Sequence, residues 1–170
     1  MGKLLFTIMA VAAAISIWVY DLETYLQHKA HVNLRYALDH GVHDAALFVD
    51  STKVSDGVID FEEVESFQAF KDALIRNLPI NSSLEPLHEY FFTDKIKIEQ
   101  VMNIDHNYID PNTGTEVTFP YVLEYLHTET QQRFNRIIFG PSVVYVIETQ
   151  IIGEEDRFVD IAIQEYKMKN

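Results

Sequence analysis

Apolar side chains run almost without relief through residues 4–20, which carry no charge and in which only Thr7 and Ser16 are not mostly apolar. As a helix rising 1.5 Å per residue, the run is roughly 25 Å long. That is the short end of what crosses a hydrocarbon core of about 30 Å. Trp18 and Tyr20 stand at its C-terminal edge, where amphipathic rings favour the headgroup layer, while Lys3 precedes it and Asp21 and Glu23 follow. The pattern predicts a membrane anchor with Lys3, Trp18 and Tyr20 at its edges. A cleaved signal peptide would use Ala12-Ala13-Ala14 as its small-residue site, yet the apolar run continues past it to Tyr20. A buried core helix would show a polar face at the helical period, and none is present. A retained single-pass anchor is therefore expected, and the positive charge before it places the N-terminus in the cytoplasm and the rest outside.

Beyond the anchor the helical period persists. Leu22, Leu26, Ala30, Leu34, Ala37, Leu38, Gly41, Val42, Ala45 and Val49 recur at three- and four-residue intervals, with no proline before Pro79. One unbroken helix is predicted, its membrane half first and its amphipathic half second. The stripe is lean at Ala30, Ala37, Gly41 and Ala45, and small residues let a second backbone come close. The face Ala30, Leu34, Ala37, Gly41 and Ala45 is thus a candidate contact face, toward the domain's own sheet or toward neighbouring copies. Asp56-Gly57 marks a turn. Phe61, Val64, Phe67, Phe70 and Leu74 then predict a second helix up to Leu78, ended by Pro79.

From Lys95 the period changes to two. Strands are expected over 95–105, 133–139, 142–152 and 157–164, with 121–126 either strand or short helix. Residues 108–109 and 115–119 read as a hairpin around the turn 110–114, and Pro120 marks an edge or a bulge. Ser142-Val-Val-Tyr-Val-Ile-Glu148 is rich in β-branched and aromatic residues and belongs at the centre of a sheet. Helices first and strands afterwards argue for an α+β fold, a long N-terminal helix packed on a mostly antiparallel sheet. The division is residues 1–20 as anchor and 21–170 as one extracytoplasmic domain, since about 150 residues suffice for one core but not two.

Charge narrows the partners. Lys3 is the only charged side chain before Asp21, so the remainder holds 12 basic against 26 acidic residues, net −14. Such a surface repels phosphate backbones, which excludes nucleic acid, and holds the domain off anionic headgroups. The chain has no cysteine, which removes thiol chemistry and makes an exported domain depend on its core alone.

Candidate chemistry is thin. Asp56-Gly-Val-Ile-Asp-Phe-Glu-Glu63 resembles the second half of a calcium-binding EF-hand loop, but Thr52 and Val54 stand where its first oxygen ligands belong. His28/His31 and His40/His43 each place two imidazoles on one helix face, without a defined third ligand. Asp105-His-Asn-Tyr-Ile-Asp110 is explained by turn chemistry, and Asn81-Ser-Ser83 by chance occurrence of an acceptor pattern. No nucleophile-and-base set, metal site or cofactor fingerprint is assigned, and no catalytic residue is named.

The apolar N-terminal helix, its unbroken continuation over 33–47 and the sheet-rich part that includes Gly140-Pro-Ser-Val-Val-Tyr-Val-Ile-Glu148 resemble the TadE-like, pilin-like proteins of tight-adherence pilus systems. The resemblance covers residues 1–50 and is architectural beyond. It implies a subunit anchored by its first helix, which packs on other subunits while the sheet domain faces outward. Gly2-Lys3 stands at the very start, and no acidic residue occurs before Asp21. This departure from pilin precursors implies a permanently anchored minor component. The expected role is a non-catalytic envelope protein whose partners are the bilayer, through residues 4–20, and other membrane or pilus-like proteins, including copies of itself. The alternative is an anchored sensor or small-ligand module with a pocket lined from Phe91, Tyr125 and Tyr145.

Overall fold

The structure, a computed structural model, describes residues 2–167. Met1 and residues 168–170, the outermost positions of the two expected segments, lie outside the described residues. Helix α1 (Gly2–Ala45) is continuous over 44 residues, about 66 Å at 1.5 Å per residue. Its two halves differ in what they touch. Residues 2–25 are exposed throughout, whereas Ala30, Leu34, Ala37, Leu38, Gly41, Val42 and Ala45 are buried.

A short turn of helix, α2 (Ser51–Val54), follows, capped by Asp50, whose Oδ1 accepts from the Thr52 amide at 2.9 Å. The chain then pairs back on itself: Asp50 N donates to Asp60 O at 2.9 Å and Glu62 N to Phe48 O at 3.0 Å. Helix α3 (Glu63–Asn77) begins just after this bridge. Glu63 and Glu65 in its first turn and Arg76 in its last complement the helix dipole.

The buried face of α3 differs from the expected one. Ser66, Phe70, Ala73 and Leu74 are inside, while Val64 and Phe67 are exposed. The small stripe of α1 leaves space for one large ring, and Phe70 fills it, stacked on Tyr145 at 3.8 Å between centroids and 12° between planes. Ser66 is tolerated inside because its hydroxyl lies 3.3 Å from the Tyr145 hydroxyl.

The strands are β1 (Lys97–Ile104), β2 (Tyr121–Leu126), β3 (Arg133–Ile138), β4 (Ser142–Thr149) and β5 (Phe158–Glu165). They form two sheets, an antiparallel trio ordered β1-β4-β5 and the antiparallel hairpin β2-β3. All eight residues of β4 are buried, which fits its expected central place. Val143, Tyr145 and Ile147 pack with α1 and α3, whereas Val144 and Val146 pack with Leu123, Phe134 and Ile138 of the hairpin. A strand apolar on both faces needs a cover on each, so the hairpin forms a third layer where one sheet was expected. The expected hairpin over 108–119 reduces to a single bridge, Ile109 with Glu116, closed by Gly114 N donating to Asp110 O at 2.8 Å. Residues 121–126 are strand, immediately after a cis Phe119–Pro120 bond.

The fold is α+β, a long N-terminal helix packed on a mostly antiparallel sheet. Arg35 Nη1 pairs with Asp160 Oδ2 at 2.8 Å and His31 Nε2 meets Glu154 Oε1 at 2.6 Å. Strand β5 therefore runs alongside α1 and away from its apolar end. The C-terminal end of β4 and the loop to β5 are the parts of the sheet nearest the exposed rod.

Candidate functional site

Two features stand apart from ordinary core and surface: the bare half of α1, and a charged cluster at the end of the sheet nearest to it. Along the bare half, Leu4, Phe6, Met9, Ile15, Ile17, Trp18 and Tyr20 are exposed, and among the described residues none of them joins either hydrophobic core. The most apolar 18-residue window of α1 has a mean hydropathy of 1.9 and no buried residue. In water so large an apolar surface is unfavourable, at roughly 25 cal/mol per Å²; in lipid it is the solvated state. The two polar side chains inside the run suit lipid as well. Thr7 Oγ1 donates to Lys3 O and Ser16 Oγ to Ala12 O, both at 3.0 Å, so neither hydroxyl hydrogen is left unpaired. Lys3, Trp18 and Tyr20 lie on this same exposed rod. A single N-terminal apolar helix of this kind is compatible with a single-pass membrane anchor.

The domain begins to touch α1 just past the rod. Leu26 and Gln27 are half-buried, and a Cβ on Gly153 in the β4–β5 loop would collide with the Glu23 carboxylate and the Gln27 amide. Glu154, Glu155 and Asp156 in that loop join Asp21 and Glu23 to make the rod-proximal end acidic.

Above this loop lies the charged cluster. Glu148 continues the hairpin-facing side of β4 after Val144 and Val146, and its side chain is 2% exposed. Arg157 Nη1 donates to Glu148 Oε1 at 2.7 Å, and Arg157 Nη2 to Asp94 Oδ2 at 2.9 Å. His127, just past β2, is 3% exposed, with Nε2 3.1 Å from Glu148 Oε2. That approach is off the line a hydrogen bond needs, so among the described residues Glu148 Oε2 has no well-directed donor. Thr130 fixes the other ring nitrogen: Nδ1 lies 2.9 Å from its Oγ1 and 3.2 Å from its amide nitrogen.

Glu99 completes the group from β1. The β1–β4 register shifts between Ile98 and Gln100, so Glu99 is the extra residue of a bulge. The bulge reverses the alternation: Ile98 packs on the helix side and Met102 on the hairpin side, although both are even-numbered. It also aims Glu99 at His127 and Glu148. Glu99 Oε1 accepts no well-directed hydrogen bond, although the Lys97 ammonium reaches it as an ion pair. One donor atom each from Glu99, His127 and Glu148 lie within 4.8 Å of one another. A cleft of about 330 Å³ lined by Asp94, Lys97, Glu129 and Arg157 opens beside them. The Lys95 amide and Arg157 hold the Asp94 carboxyl below its ordinary range, and Asp94 with Glu148 pushes Arg157 up.

Comparison with family models, curated proteins and solved structures returned no match.

Of the two contacts expected for the small-residue face, the structure shows the internal one and removes the one toward neighbouring copies. Ala30, Leu34, Ala37 and Ala45 have no exposed surface, and Gly41 is buried against Phe70. The close approach that small residues allow is taken by the chain's own α3 and sheet, so this stripe offers nothing to a neighbouring copy. Nor do Phe91, Tyr125 and Tyr145 line one pocket: Tyr145 is enclosed on the helix side of the sheet and Tyr125 packs on the hairpin side. Of the histidine pairs, His31 is held by Glu154 and stacks edge-on against Phe158, while His28, His40 and His43 are exposed. Asp60 of the EF-hand-like stretch is paired with Lys53. Asp105 and Asp110 each accept from the amide two residues on, as turn chemistry requires.

The cluster was not named from the sequence. Glu148, a carboxylate in phase with Val144 and Val146, was its one legible sign. Glu99 owes its direction to a bulge, and His127 to the pairing of β2 with β3.

Proposed function

We propose that the chain is a non-catalytic, single-pass envelope protein. Its N-terminus lies in the cytoplasm, and residues 21–170 form an extracytoplasmic domain that acts as a minor pilin-like or assembly component of a pilus- or secretion-type apparatus. The observation that carries this reading is the division of α1. One continuous helix is bare and apolar for its first half and packed along one face into a folded domain for its second. Such a helix transmits position and force between membrane and domain without a flexible joint. The resemblance of residues 1–50 to TadE-like anchors supports the pilus assignment. Crosslinking in native membranes, followed by sedimentation, tests it. The chain should travel in an assembly with other proteins anchored by one N-terminal helix; recovery as an isolated monomer contradicts the reading.

A second reading, an anchored ligand-binding module, is favoured by one observation. Between β1 and the hairpin lies an open groove of about 750 Å³ lined by Tyr108, Tyr121, Tyr125 and Phe134. Burial pushes the Tyr121 hydroxyl up to about 12, so it stays a neutral hydrogen-bond donor toward a ligand. Monomeric protein that binds a small molecule in this groove would favour this reading over assembly.

A further inference from the structure

We propose that Glu99, His127 and Glu148 form a binding site for one divalent cation of the zinc class. Three separate strands or strand ends deliver two carboxylates and one imidazole to a common point, with their donor atoms within 4.8 Å of one another. Among the described residues Glu148 Oε2, on a side chain 2% exposed, accepts no well-directed hydrogen bond, since His127 Nε2, 3.1 Å away, is out of line with it. A buried carboxylate oxygen so poorly satisfied costs free energy that a cation would recover. Arg157 occupies only the other oxygen, Oε1. Glu148 is thus held in place by one atom and presents the second.

The donor set selects the ion. Calcium takes six to eight oxygen ligands and magnesium a near-octahedral oxygen shell, whereas one imidazole and two carboxylates with an open position suit zinc. Bonds of ~2.0–2.2 Å place donors of a tetrahedral site ~3.3–3.6 Å apart, so the three draw together on binding. Glu99, 21% exposed on its bulge, is the donor with room to move, and the half-exposed Lys97 swings off it into solvent. The cleft beside Arg157 provides the entry path.

His127 carries the signature. With Nδ1 accepting the Thr130 amide hydrogen, the ring proton sits on Nε2, on the Glu148 side of the ring but out of line with Oε2. Coordination through Nε2 moves that proton to Nδ1, where Thr130 Oγ1, 2.9 Å away, accepts it, and the Thr130 amide gives up Nδ1 as its acceptor. Cation binding therefore exchanges one ring tautomer for the other.

The test uses the full chain in detergent micelles, without an affinity tag and stripped with chelator, titrated calorimetrically with zinc chloride. One equivalent should bind. Glu99→Gln should weaken binding about tenfold or more, while a His40→Ala/His43→Ala variant should bind as the parent does. Glu99 is the residue to change because Glu148→Gln would strip Arg157 of its buried partner and risk the fold. Nitrogen-15 spectra of His127 should move the protonated nitrogen from Nε2 to Nδ1 on saturation. Absence of a saturable equivalent, binding unaltered by Glu99→Gln, or binding lost with His40 and His43 would overturn the proposal.

Discussion

Replacing Gly41 by alanine sets two effects of opposite sign against each other. In an open helix the change stabilises by about 1 kcal/mol, because glycine has the greater backbone freedom to lose. At Gly41 the new Cβ would lie 2.7 Å from Phe70 Cδ2 and 2.9 Å from Phe70 Cε2, well inside the ~3.5–4.0 Å at which carbon atoms attract. The ring has little room to yield, since its far face stacks on Tyr145 at 3.8 Å and both residues are fully buried. Overpacking of this kind costs about 1–3 kcal/mol. We expect Gly41→Ala to destabilise the domain by about 1 kcal/mol net. In a Phe70→Leu background, with the ring removed, the same change should stabilise by about 1 kcal/mol, a coupling of about 2 kcal/mol. Urea unfolding of the full chain in micelles, followed by near-ultraviolet circular dichroism, reads both numbers. If Gly41→Ala stabilises equally in the two backgrounds, the α1–α3 contact is not the one described.

Arg157→Met leaves Glu148 Oε1 buried without its cation, and urea unfolding should show a loss on the order of 2–3 kcal/mol, less than for a fully enclosed pair because the arginine is 40% exposed. Asp94 has a folded-state pKa below its unfolded value, so its contribution is present above the ordinary carboxylate range and is lost as pH falls through the lowered folded value. Asp94→Asn should therefore lower the midpoint at pH 6 by an amount worth less than ~1 kcal/mol for this half-exposed pair, and make no difference once the parent is protonated. Gly153→Ala should destabilise, since its φ is +71° and the new Cβ meets Glu23 and Gln27; thermal melts of the full chain would register it.

The regular periods carried most of the fold. The three-and-four spacing specified a helix that does run unbroken into the domain, although it stops at Ala45 and Val49 bridges to Phe61 instead, and the apolar run 142–147 specified a central strand. Three things lay outside that signal. The stripe Ala30, Ala37, Gly41 and Ala45 announces a close approach but not by whom, because small residues fit an internal helix and a neighbouring copy equally well. Val64 and Phe67 share a helical period with Phe70, yet the space beside Gly41 admits one ring and Tyr145 rewards Ser66 with a hydrogen-bond partner, so the face turns. The candidate cation site arises from a bulge and a strand pairing, and both are long-range outcomes that leave no local mark at Glu99 or His127.

Since the chain contains no cysteine, single cysteines can report the environment of α1 directly. Ile8→Cys and Ile15→Cys on the rod, and Glu155→Cys on the β4–β5 loop, would each be exposed to a membrane-impermeant maleimide on intact cells. Lipid around the rod predicts labelling at position 155 from outside and none at positions 8 and 15 until the membrane is dissolved and the protein denatured. Labelling at positions 8 and 15 as fast as at 155 in intact membranes would contradict a bilayer-spanning rod joined without a break to an external domain.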